Sequence, residues 1–189
     1  MKYIIEHLEE GISEWCEIEY KHISSFVGKE NLIFTNVTDP EDKERLKDLG
    51  RVEEKPAREL GYVRCCILDP QAEDILTPHD ANAFDFLIFG GILGDYPPKK
   101  RTEEELSAKM QDTPKRNLGD IQMATDTAVL CAKMIIYGIP FEEIPFTYDI
   151  EIELSEGESV QLPYRYIVQD GKPLLAPGLV EYLQKEDSF

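Results

Sequence analysis

Cysteine is scarce and unpatterned in this sequence. The four, Cys16, Cys65, Cys66 and Cys131, form no C-x-x-C, and the adjacent pair cannot bridge within one extended strand. They argue against a zinc site and a disulfide framework, and read as reduced core residues of a cytosolic protein. Long apolar runs are missing as well: no segment approaches the ~20 residues of a membrane span, so a soluble, intracellular protein is expected. No G-x-G-x-x-G lies near the first strand and no G-x-x-x-x-G-K-[ST] occurs anywhere, which leaves NAD and ATP sites without their motifs. Basic residues are few. Twenty Lys and Arg stand against thirty-eight Asp and Glu, a net charge of −18. Such a balance repels phosphate chains and attracts cationic partners, which counts against an RNA substrate although Lys99, Lys100 and Arg101 could still form a local basic patch.

What is present is a chain of 189 residues, 42% of them hydrophobic, long enough to bury a sizeable core as a single domain, with 145–189 as a small C-terminal extension. Its most informative stretch is FDFLIFGGILGDYPP, from Phe84 to Pro98. The apolar run suits a central parallel strand buried on both faces, and Gly90, Gly91 and Gly94 let the backbone turn sharply beside a ligand. A second stretch, RNLGDIQMATDTA, opens the longest expected helix, Ile121 to Tyr137, behind a Gly-Asp pair. Strands are expected at Tyr3–Ile5, Asn31–Val37, Tyr62–Leu68 and Phe84–Phe89, and helices at Ile12–Phe26, Glu41–Leu49 and Leu179–Lys185. Thr147–Leu154 and Ser159–Val168 alternate weakly, Asp170-Gly171 is a turn, and the charged segment between Pro97 and Pro114 reads as a loop and short helix covering the site. Alternating strands and helices imply a largely parallel α/β sheet.

MKYIIEHLEEGISEW at the N-terminus, CCILDP at 65–70, FGGILGDYPP at 89–98, RNLGDIQMATDTA at 116–128 and LPYRYIVQDGKPLLAPG at 162–178 together resemble the SPOUT-class protein arginine methyltransferases of yeast and archaea. The resemblance runs through nearly the whole chain and is thinnest between Pro40 and Gly61. It implies a SPOUT-type sheet with helices on both faces and a C-terminal trefoil knot. It also implies S-adenosylmethionine as cofactor, and methylation of an arginine on a basic, small-subunit ribosomal protein. A monomer is expected rather than a dimer built across the knot, which is the commoner arrangement in the wider class. By the same resemblance the cofactor meets Leu68, Phe89, Gly90, Gly91, Gly94 and Asp95 on one side, and Leu118, Gly119, Asp120, Met123 and Thr127 on the other. Arg116 would take its carboxylate in a two-point contact. Asp95 and Asp120 have a plainer reading, as caps of a turn and of the following helix.

Methylating arginine is chemically distinctive because guanidinium stays protonated at physiological pH, so a carboxylate must hold it planar and accept a proton. Glu6, Glu9, Glu10, Asp69 and Asp95 stand at or just beyond expected strand ends, where open α/β sheets place their sites. Glu6 and Asp69 are the preferred pair, with Asp95 third. A solvated helix start explains EHLEE equally well. His7 could donate to a neighbouring carboxylate. Trp15 could stack on a guanidinium, but a lone Trp among isoleucines reads first as core. The acidic run Glu151, Glu153, Glu156 and Glu158 is either a solvated face or a surface for a basic partner. Two other functions remain open: an RNA methyltransferase of the same class, and a binding module that keeps the pocket without catalysis.

Overall fold

The computed structural model describes residues 1–93, 99–155 and 157–186. Gly94 and Asp95 lie outside them. Six strands form a parallel sheet in the order β3-β2-β1-β5-β4-β6: β1 (Lys2–His7), β2 (Leu32–Thr35), β3 (Arg51–Val52), β4 (Cys65–Leu68), β5 (Phe86–Gly91) and β6 (Lys115–Arg116). The apolar content of these strands follows from burial on both faces. The two-residue period of a strand divides them cleanly. Tyr3, Ile5, Leu32, Phe34, Cys66, Leu68, Leu87 and Phe89 enter one core, whereas Ile4, Ile33, Cys65, Ile67 and Ile88 enter the other.

The first core is closed by two helices, α1 (Glu14–Val27) and α4 (Thr125–Ile136). Ser13 caps α1 by accepting from the Cys16 N–H, and Gly28, at φ 82°, ends it. The opposite face is covered by Ala57, Tyr62, Leu106 and Met110 instead of a long helix. Leu106 follows the five-residue α3 (Arg101–Glu105). A short helix, α2 (Pro40–Leu46), starts on an Asp39 cap and ends before the expected Leu49.

The C-terminal part builds a second, antiparallel sheet from β7 (Phe146–Ser155), β8 (Glu158–Gln169) and β9 (Lys172–Pro173). Asp170 and Gly171, both at positive φ, make the two-residue turn between β8 and β9. The terminal helix α5 (Leu179–Glu186) packs on this sheet, in a cluster with Leu162, Tyr164 and Tyr166 that Trp15 joins by an edge contact with Tyr182. Trp15 is thus a partly buried packing residue, its indole N–H donating to Glu19. All four cysteines are free and buried; burial pushes the Cys66 and Cys131 thiols up to about 12.

Between α1 and α4 lies a buried acidic pair. Glu19 accepts from Trp15 Nε1 at 2.8 Å and from the Thr125 N–H at 3.2 Å, while Asp126 meets His22 Nδ1 at 2.7 Å. Burial, reinforced by the Asp126 charge, pushes the Glu19 carboxyl up to about 8. A raised acid pKa means that the folded state holds a proton the unfolded chain releases, so stability falls as pH rises from the ordinary 4.5 towards 8.

Two predictions rest on this architecture. Glu19→Gln keeps the side-chain shape and one of the two acceptor contacts, since an amide has a single acceptor oxygen, and it removes the titration, so the pH dependence is the informative quantity. Its melting temperature should rise above wild type progressively between pH 5 and 8, a gap of a few kcal/mol at ~1.4 kcal/mol per unit; parallel curves would contradict the placement of this proton. At Gly91 a Cβ would collide with the Tyr20 hydroxyl and lie 2.9 Å from Ile5 Cγ2 and 3.1 Å from the Glu6 carbonyl. Gly91→Ala should therefore lose about 1–3 kcal/mol in urea unfolding.

Candidate active site

A cavity of about 210 Å³ opens at the C-terminal ends of β4 and β5, on the side where chain reversals of a parallel sheet collect. Three segments enclose it. Leu68 to Gln71 leave β4, Phe89 to Ile92 leave β5, and Leu118 to Met123 run across to α4, with Lys99, Arg101 and Thr102 bordering it from the α3 side. Leu68, Phe89, Leu118 and Met123 make an apolar wall suited to a flat ring. Gly90 leaves room beside it, since a Cβ there would come within 3.1 Å of Ile92 and 3.4 Å of Thr102.

Of the residues the sequence singles out, Leu68, Asp69, Phe89, Gly90, Leu118, Gly119, Asp120 and Met123 border this cavity. Asp69 is 2% exposed. Its Oδ1 accepts from the Gln71 N–H at 2.9 Å and its Oδ2 from the Ser107 hydroxyl at 2.5 Å, so the carboxylate is held by the turn it caps and by the covering segment.

Four others stand elsewhere, for reasons the structure makes plain. Glu6 shares the face of Ile4, and its carboxylate accepts from Thr35 Oγ1 at 2.5 Å and from the Ala57 N–H at 2.8 Å, away from the cavity. Gly91 is a packing glycine against Tyr20 rather than part of the wall. Arg116 is paired with Asp80 at 3.1 Å and Asp74 at 3.6 Å, stacks over Phe84, and does not border the cavity. Thr127 is buried on α4, its N–H on the Asp126 side chain. Asp120 is not a helix cap either: α4 begins four residues later than the sequence suggests, behind Ala124. The Asp120 side chain is 93% exposed and meets Arg165. His7 does not serve a carboxylate; its Nδ1 faces the Tyr20 hydroxyl at 3.1 Å, and burial lowers its pKa.

The residue that sequence reasoning missed is Arg165. It stands on β8 opposite in face to the inward Tyr164 and Tyr166, an alternation that marks it as turned toward another element. Its N–H donates to the Gln122 carbonyl at 2.8 Å, its Nη2 to Asp120 at 3.3 Å, and its guanidinium lies over Phe141 and Phe146. Gly119 is required beneath it. There φ is 85°, and a Cβ would lie 2.6 Å from Arg165 Nη1 and 2.8 Å from Phe141. Arg101, one of three consecutive cations in the sequence, borders the cavity and is ion-paired with Glu9 and Glu105. No group of three or more His, Cys, Asp or Glu among the described residues could hold a metal.

This arrangement has close relatives. The family model described as "Protein arginine N-methyltransferase SFM1-like" matches residues 2–188. Protein arginine N-methyltransferase SFM1 of Saccharomyces cerevisiae is 41% identical over 205 aligned residues, which cover 100% of this chain and 96% of the yeast one. The crystal structure of yeast SFM1 complexed with SAM superposes with a TM-score of 0.91 at 40% identity, covering 100% of this chain and 92% of that one. Trm10 of Thermococcus kodakaraensis shares the fold alone, with a TM-score of 0.59 at 18% identity over 76% of this chain and 96% of its own. The chain belongs to the SFM1-like family of protein arginine N-methyltransferases.

Proposed function

We propose that the chain transfers a methyl group from S-adenosylmethionine to an arginine of a basic protein of the small ribosomal subunit, working as a cytoplasmic monomer. One observation carries the reading: in a chain that matches the family over residues 2–188, two glycine-bearing segments that carry the sequence resemblance, 89–92 and 118–123, line the cavity. The residues present fit the cofactor. Leu68, Phe89, Leu118 and Met123 suit its adenine, while Lys99 offers a cationic group of the kind its carboxylate needs. When bound, it supplies an electrophilic methyl on a sulfonium, whose departing electron pair stays with sulfur.

The protein's own task is to present a guanidinium nitrogen and remove its proton. Asp69 is the described carboxylate buried against the cavity, and its fixed geometry, set by Gln71 and Ser107, suits it to accept that proton as the N–C bond forms. Asp95 is the second candidate acid and lies outside the described residues. The trefoil knot belongs to the same proposal. Its support is the bracketing of 115–125 between the two strand exits: Asn117 exchanges main-chain bonds with Asp74 and Leu76, and the Thr125 hydroxyl donates to the Ile92 carbonyl.

The net charge of −18 and the exposed Glu151, Glu153 and Glu158 of the β7–β8 hairpin favour a basic substrate and oppose RNA. Incubation with labelled cofactor and ribosomal subunits should put label into protein as monomethylarginine, less so as salt rises; label in nuclease-sensitive material would overturn the substrate class. The carboxylates separate by variant. Asp69→Asn should lower turnover about 10² to 10⁴-fold with cofactor affinity nearly unchanged. Glu6→Gln should instead cost stability, about 1–3 kcal/mol, through its buried contacts to Thr35 and Ala57. Equal turnover in Asp69→Asn and wild type would remove Asp69 from the chemistry.

A further inference from the structure

One guanidinium is already held beside the cavity. Arg101 Nη1 donates to Glu9 Oε1 at 2.8 Å, its Nη2 to the Leu8 carbonyl at 3.2 Å, and its Nε to Glu105 Oε1 at 2.9 Å. Glu9 and Leu8 are fixed from the sheet side: the Leu93 N–H donates to Glu9 Oε1 at 3.0 Å, and the Leu8 N–H to the Gly91 carbonyl at 3.2 Å. A carboxylate and a carbonyl at the C-terminal end of β1, next to the exit of β5, thus make a rigid acceptor pair matched to a guanidinium fork. The group filling that pair comes from α3, five residues long, whose Lys100 cap supplies no side-chain hydrogen bond.

We propose that Glu9, with the Leu8 carbonyl, is the subsite for the substrate's guanidinium, and that Arg101 fills it until substrate displaces it. The inference rests on the methyltransferase reading above and names the acceptor subsite within it. Displacement is geometrically simple. Arg101 keeps Glu105, four residues on along its own helix, as a partner when it leaves Glu9, so neither charge is stranded. Arg101 and Glu9 are both about a quarter exposed, so an incoming side chain can reach them from solvent. The flanking carboxylates, Glu9 foremost, hold the Arg101 guanidinium above its usual range and therefore protonated. Selectivity follows as well: an arginine fork bridges Glu9 and Leu8 in two directions, whereas a lysine ammonium satisfies them only as a point charge.

The test uses N-ethylguanidinium as probe and full-length wild type, Arg101→Ala, Arg101→Gln and the double variant Arg101→Ala/Glu9→Gln, each checked by melting temperature. N-Ethylguanidinium should bind Arg101→Ala and Arg101→Gln at least tenfold more tightly than wild type, and the double variant no better than wild type. With cofactor saturating, Arg101→Ala should lower the KM for ribosomal-protein substrate. A helix merely loosened by loss of an ion pair would lower kcat and raise KM. Equal N-ethylguanidinium affinity in Arg101→Ala and the double variant, with methylation intact, would overturn the subsite and leave the methyltransferase reading standing. Tight, Glu9-dependent binding with no methylation of ribosomal proteins would overturn that reading instead.

Discussion

The cavity exists because the segment from Leu118 to Met123 is held across the sheet edge rather than wound into α4, and the hold converges on Arg165. Three of its groups act on that segment. The main-chain N–H fixes Gln122, the guanidinium edge reaches Asp120, and its face against Phe141 and Phe146 leaves space over Gly119 only for a residue without a Cβ. Arg165 Nη1 is buried without a hydrogen-bond partner among the described residues. That desolvation is offset by the two rings it covers, a setting in which cation–π attraction strengthens. The small antiparallel sheet is thereby tied to the parallel one at the place where a ligand would lie, so the C-terminal hairpin is part of the site's frame.

Strand identity was legible because residues buried on both faces leave continuous apolar runs, as in YII at β1, CCIL at β4 and FLIF at β5. The two-residue period also fixes side. Ile4 and Glu6 share a face, and Thr35 and Ala57 occupy it, which explains why a carboxylate at a strand end became structural while Asp69, one residue past β4, met the cavity. The start of α4 was not legible. Gly119-Asp120 is a good helix entry by local rules, but the residues that follow are claimed by Arg165, and the helix begins only where the Thr125 N–H finds Glu19. Arg116 failed for a related reason: its partners Asp74 and Asp80 lie some forty residues earlier, and only the fold brings them to it. Local propensity is overridden wherever a distant group satisfies the same backbone or charge.

Charge organises function on a larger scale than any one pair. An acidic chain of this size favours a basic partner at range, and in the proposed reaction short-range selection would fall to carboxylates whose positions are set by main-chain donors, Asp69 by Gln71 and Glu9 by Leu93. Fixed acceptors of this kind favour a planar cation over a flexible one, because little reorganisation is needed when the proton leaves. Glu19 and Asp126 follow the opposite logic. They lie behind the wall, where the raised pKa of Glu19 makes the stability of the α1–α4 contact depend on pH.

The claim that Arg165 forms the cavity by holding Leu118–Met123 is tested most directly by titrating S-adenosylmethionine into Arg165→Ala and Arg165→Lys in a calorimeter. The account predicts that both variants stay folded and lose at least about tenfold in affinity, ~1.4 kcal/mol, with Lys no better than Ala because an ammonium cannot span Asp120 and the two rings. Wild-type affinity in Arg165→Ala would contradict it.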